Sequence, residues 1–175
     1  MQEEYLGDSY DLVKRFWAEN LRSIAPLYAH PRFVPESLRP RFTHLSKIKM
    51  FDPEDRPTGK FGLFLDPDTG IPFFNGSHGK DTGKRVSLPF IVEANKVYQP
   101  SYLICYDQSH HRTRVVGKSE QMKKKMEFLK AEGLQSFYYN SHAHFLFIAE
   151  QQETLAAIYE RLTSLGVPPS RLKQL

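Results

Sequence analysis

The sequence predicts one three-layer, Rossmann-like α/β domain over residues 1–175, with a mostly parallel sheet and a C-terminal antiparallel hairpin. Short apolar runs alternate with longer segments of helical period, the order that builds a sheet covered by helices on both faces. Two of those runs, Phe61-Gly62-Leu63-Phe64-Leu65 and Ser101-Tyr102-Leu103-Ile104-Cys105-Tyr106, end directly in an aspartate. Two further apolar runs flank Asn140-Ser141-His142, a turn composition that predicts the hairpin.

The first element is a helix in DSYDLVKRFWAENLRSI, where Leu12, Val13, Phe16, Trp17, Leu21 and Ile24 form an apolar stripe and Asp8 or Ser9 supplies a cap. A short strand follows in APLYAHPRFV. Pro31, Pro35 and Pro40 each disfavour continued helix or central strand, so residues 31–59 read as irregular chain, long enough to hold a further strand or a cover over a site. Residues 61–65 are too short for a helix and run into Asp66-Pro67-Asp68-Thr69-Gly70, so they read as a buried strand and turn. Ser87 caps the next helix, with Pro89 tolerated in its first turn. Residues 101–106 form a strand, SEQMKKKMEFLKAEG a helix closed by Gly133, and a last helix in QQETLAAIYERLTSLG is stopped by Gly166.

At 175 residues, 40% hydrophobic and 13% aromatic, the chain can bury one substantial core. The acidic, amphipathic start lacks the pattern of a secretory signal and no stretch is apolar enough for a membrane span, so a cytoplasmic protein with no membrane partner is expected. Cys105 is the only cysteine, which excludes an internal disulfide and a multi-cysteine zinc site, and its apolar setting predicts a core residue rather than a nucleophile. A net charge of +4, from 24 basic and 20 acidic residues, tilts the surface only modestly toward nucleic acid or other phosphate-bearing partners. The lysines of Lys123-Lys124-Lys125 fall largely opposite Met122, Met126, Phe128 and Leu129, which predicts a solvated helix face.

In open α/β sheets ligands bind outside the carboxyl ends of the strands. Asp66 and Asp68, Asp107 with His110, His111 and Arg112, and His142 then share one rim. Asp66 and Asp107 are the expected ligands of a Mg²⁺ or Mn²⁺ ion, with Asp68 third, because such ions take hard carboxylate oxygens and leave positions for water and phosphate. Asp68 also suits a plain turn role. His110, His111 or His142 is the expected acid or base, and Arg112, Arg114, Lys80 and Lys84 the substrate-holding cations. His142 and His144 have chelating spacing, though packing within the hairpin accounts for them more simply. GSHGKDTGKR lacks phosphate-loop spacing and reads as a flexible loop beside the site.

With YLGDSYDLVKRF, LFLDPDTGI and YLICYDQSHHR in order along most of its length, the chain resembles a group of small bacterial and phage proteins with no established activity to transfer. That resemblance marks Asp66, Pro67, Asp68, Thr69 and Gly70, and adds Tyr5, Gly7 and Asp8. The architecture is also similar to the second half of class I methyltransferases that use S-adenosylmethionine, although no glycine lies between Gly7 and Gly59, where a cofactor loop belongs. FLDPDTG looks like the Asp-x-Asp start of haloacid-dehalogenase-type phosphatases, with Gly70 in place of the usual Thr or Val. The function expected is a Mg²⁺- or Mn²⁺-assisted phosphodiester or phosphoryl hydrolase, with a methyltransferase-like domain or a non-catalytic nucleic-acid- or protein-binding module as alternatives.

Overall fold

The computed structural model describes residues 6–72, 84–108 and 117–175. Its seven-stranded sheet has the order β2-β1-β3-β4-β6-β5-β7. The strands are β1 (Leu27–Ala29), β2 (Lys49–Met50), β3 (Gly62–Leu65), β4 (Tyr102–Tyr106), β5 (Gln135–Tyr139), β6 (Phe145–Ala149) and β7 (Leu172–Lys173). β2, β1, β3 and β4 are mutually parallel, β6 is antiparallel to β4 and β5, and β7 is antiparallel to β5. β5 therefore runs in the direction of β3 and β4 but is separated from β4 by its own hairpin partner. The carboxyl ends of β3, β4 and β5 share one edge, as the sequence predicts.

The helices are α1 (Ser9–Asn20), α2 (Arg39–Ser46), α3 (Leu88–Tyr98), α4 (Lys118–Ala131) and α5 (Gln152–Ser164). Trp17, Phe42, Ile158 and Leu162 pack on one face of the sheet with Phe64, Ile104, Phe137 and Phe147. Ile91, Met122, Met126 and Leu129 pack on the other with Leu63, Leu65, Leu103, Cys105 and Tyr138. Consecutive strand residues thus feed opposite cores, as the two-residue period of a strand requires, and the fold has three layers.

Asp8 caps α1, accepting from the amides of Tyr10 (2.8 Å) and Asp11 (3.2 Å), and Ser87 caps α3, accepting from Phe90 N. Residues 31–59 are more regular than the prolines suggest. Pro40 occupies the first turn of α2, where its missing N–H breaks no helical bond, and β2 adds an edge strand beside β1. The stripe expected on α1 is also displaced: Leu12 is 67% exposed, whereas Asp11, Lys14, Trp17 and Ala18 are buried. On α4, Lys125 is fully buried rather than solvated. No described helix is long and apolar enough to cross a membrane.

Candidate functional site

The last paired residue of β3, Leu65, lies opposite Cys105 of β4. One step on, Asp66 is level with Tyr106, and Asp107 comes one residue later. Because side chains alternate faces, Asp66 and Tyr106 turn toward the layer of α1, whereas Asp107 turns toward that of α4. Each aspartate meets a lysine from the buried face of the helix on its own side.

Lys14 Nζ donates to Asp66 Oδ2 at 2.8 Å and to Asp11 Oδ1 at 3.0 Å, all three groups being buried. The Gly7 amide donates to Asp11 Oδ2 at 2.7 Å. Burial acts to lower the Lys14 value, but the carboxylates of Asp66 and Asp11 outweigh it and hold the ammonium above its ordinary range. Burial pushes the Asp66 carboxyl up, against the pull of Lys14, with the Asp11 charge adding to the rise. Lys14 sits between the two carboxylates and compensates much of their charge, which limits the cost of burying them in a low dielectric.

On the other face, Asp107 is fully buried and both its oxygens are engaged. Oδ2 accepts from Lys125 Nζ at 2.6 Å and Tyr138 OH at 2.8 Å, and Oδ1 from Ile71 N at 2.9 Å. Burial drives the Tyr138 hydroxyl well above its usual range, with the Asp107 charge adding to it, so it stays a donor. Gly70, at φ +84°, packs so closely that a Cβ there would lie 2.5 Å from Asp107 Oδ1 and 2.6 Å from Gln108 N. The expected sharing of one cation by Asp66 and Asp107 is not the arrangement found. The one-residue offset in register sends them to opposite faces, and a lysine ammonium already neutralises each.

Polar groups on the α1 face form the rim. Gln108 Nε2 donates to Tyr10 OH at 3.2 Å and to the carbonyl of His142 at 2.6 Å, tying the start of α1 to the β5–β6 turn. The Tyr10 ring lies 5.7 Å from Tyr106, edge-on, and 5.7 Å from His142. Burial first, then Tyr10 and Asp66, raise the Tyr106 hydroxyl far above its ordinary value. His142 is exposed while His144 is buried, so the pair does not present two imidazoles to one ion. His30, just past β1, is a polar residue at the same edge of the sheet that the sequence reading missed, and it turns to the α3 face rather than to the α1 rim. Its ring lies 5.5 Å from Phe90 and 5.7 Å from Phe33 and Tyr98, and burial, with Arg32 nearby, lowers its pKa to about 4.

Asp68 is half-buried in the turn after β3, whose Thr69 donates through its amide and hydroxyl to the Lys84 carbonyl, each at 2.9 Å. Lys84 itself is exposed. Lys80, His110, His111, Arg112 and Arg114 lie outside the described residues, as does Tyr5. Among the described residues, no group of three His, Cys, Asp or Glu side chains converges as a metal centre. Cys105 is buried and its thiol raised, chiefly by burial, which matches a core role. No protein-family model, curated protein or solved structure matches the chain significantly.

Because the folded chain holds the Asp66 proton more tightly than the unfolded one, its contribution to stability is complete below the ordinary value of 3.8 and fades as pH rises through the raised folded value. Urea midpoints measured from about pH 4 to 7 should show this fall, and Asp66→Asn should remove it. An unchanged fall in the Asn variant would assign the proton to another group.

Proposed function

We propose that the protein is a hydrolase of phosphate-bearing substrates that works on the α1 side of the sheet's carboxyl edge, with Asp66 as its metal-holding carboxylate. The observation that carries this reading is the carboxyl of Asp66 itself. One oxygen is fixed by Lys14, and the other takes no hydrogen bond among the described residues. Mg²⁺ or Mn²⁺ would bind that second oxygen, with water and substrate oxygens completing the shell. Asp107 is then an anchor for the strand-end turns rather than a ligand. The exposed His142 serves as the proton carrier, and Lys14 limits the charge that the ion must offset.

Binding of the ion displaces the Asp66 proton, so affinity should tighten as pH rises. The test is hydrolysis of p-nitrophenyl phosphate and bis(p-nitrophenyl) phosphate with Mn²⁺ and with EDTA. Turnover should require the metal, fall by about 10²-fold or more in Asp66→Asn, and fall less in His142→Ala. A folded Asp66→Asn protein with wild-type turnover would overturn the assignment.

A further inference from the structure

A second surface lies at the amino ends of β1 and β3 and along the open edge of β2, away from Asp66. β2 pairs only with β1, so its outer side is uncovered by any described strand. A cavity of about 590 Å³ opens there between the last turns of α1 and α2, lined by Arg22, Lys47, Lys49, Thr43 and Tyr28. It continues past Pro26, Tyr28 and Lys49 into a second cavity of about 440 Å³ that also carries Lys60 and Arg56. Arg22, Lys47, Lys49 and Lys60 are exposed. The acid of the first cavity, Glu19, is engaged by Arg15 at 2.7 Å. In the second, Asp52 and Asp55 offset the cations, and Arg56 is turned to the Val97 carbonyl and the Tyr98 ring. The positive field is therefore concentrated around Arg22, Lys47 and Lys49. Tyr28, half-buried with its ring edge-on to Phe61, is common to both cavities.

We propose that this groove binds a single strand of nucleic acid, its phosphates along Arg22, Lys47 and Lys49 and a base against Tyr28. The cations line two cavities that share Pro26, Tyr28 and Lys49 rather than a single pocket, which fits a repeating phosphodiester chain better than a lone anion. Tyr28 is level with Lys49 and packs on the α3 side where the two cavities meet, and an aromatic ring beside a line of cations is the recurrent platform for an unpaired base. Lysines on an open edge also discourage strand-to-strand association. That role alone would require neither the cavity nor the tyrosine.

Fluorescence anisotropy of a fluorescein-labelled oligo(dT) of about fifteen nucleotides tests this. Binding should weaken steeply with salt, because each neutralised phosphate releases counterions. Lys47→Glu/Lys49→Glu should lose at least about tenfold in affinity while keeping the wild-type melting curve. Lys123→Glu/Lys124→Glu, on the exposed face of α4, should bind as wild type. An abasic strand of equal length should bind more weakly than oligo(dT). Wild-type binding by the Lys47/Lys49 variant, lost binding in the Lys123/Lys124 variant, or equal affinity for the abasic strand would each overturn the proposal. Asp66→Asn should bind oligo(dT) normally, so failure of the hydrolase reading leaves this one standing and the reverse.

Discussion

Replacing Lys125 with methionine is expected to remove about 3–5 kcal/mol of folding stability, the range seen when one partner of a buried ion pair is deleted. Neither Lys125 nor Asp107 has any exposed side-chain surface, and their contact is 2.6 Å. Methionine fills much of the lysine's volume, so the loss would come from the carboxylate left behind rather than from a cavity. Tyr138 and the Ile71 amide would remain as donors, and both are neutral. For a chain of this size the loss corresponds to a melting point lower by roughly 10 °C. Lys125→Met/Asp107→Asn should recover much of it, since the buried charge goes with the carboxylate. If the single variant unfolds within about 1 kcal/mol of wild type by urea titration, Asp107 is not the hub that holds the turns after β3 and β4.

The two buried lysines show where sequence reading stops. The strands were legible because each is an apolar run bounded by turn residues, and the cap positions because Asp8, Ser87, Gly133 and Gly166 are suited to helix ends. The charge of Lys125 predicts a solvated position, yet it lies three residues after Met122 and four before Leu129, on the same helical stripe. Asp11 and Lys14 likewise precede Trp17 and Ala18 on the buried face of α1, a pattern concealed by the apolar but exposed Leu12. A charged residue at a core position signals a buried partner, and each of the two lysines meets an aspartate just past a strand.

Other features depend on relations that no local pattern encodes. Asp66 and Asp107 look equivalent in sequence, both ending an apolar run. Only the pairing of Leu65 with Cys105 offsets them by one residue and sends them to different faces. β2 and β7 have two residues each, too few to show a period, and exist because β1 and β5 offer them an edge. The sequence places the turn at 140–142 on the same rim as Asp107. It reaches that position because β6, not β5, is the neighbour of β4, which brings the His142 carbonyl within reach of Gln108.

Lys14→Met should have an effect of a different kind from Lys125→Met, because it leaves two carboxylates behind at the edge of the core. At neutral pH a loss of about 2–4 kcal/mol is expected from stranding Asp11 and Asp66 without a cation. Without Lys14, the two largest influences left on Asp66 are burial and the Asp11 charge, both of which raise its pKa. The variant's folded state then binds protons more tightly than its unfolded state, so its stability should climb as pH falls toward the ordinary carboxylate range, near pH 4. The gap from wild type should therefore be widest near pH 7 and narrow by pH 5, as urea midpoints at the two values would report. Lys14→Met/Asp66→Asn separates structure from chemistry: one stranded charge is gone, so stability at pH 7 should largely return, while metal-dependent phosphoester hydrolysis should stay at the Asp66→Asn level. A gap that stays constant with pH would mean that Asp66 does not take up a proton when Lys14 is removed. Hydrolysis restored in the double variant would move the reacting centre away from Asp66.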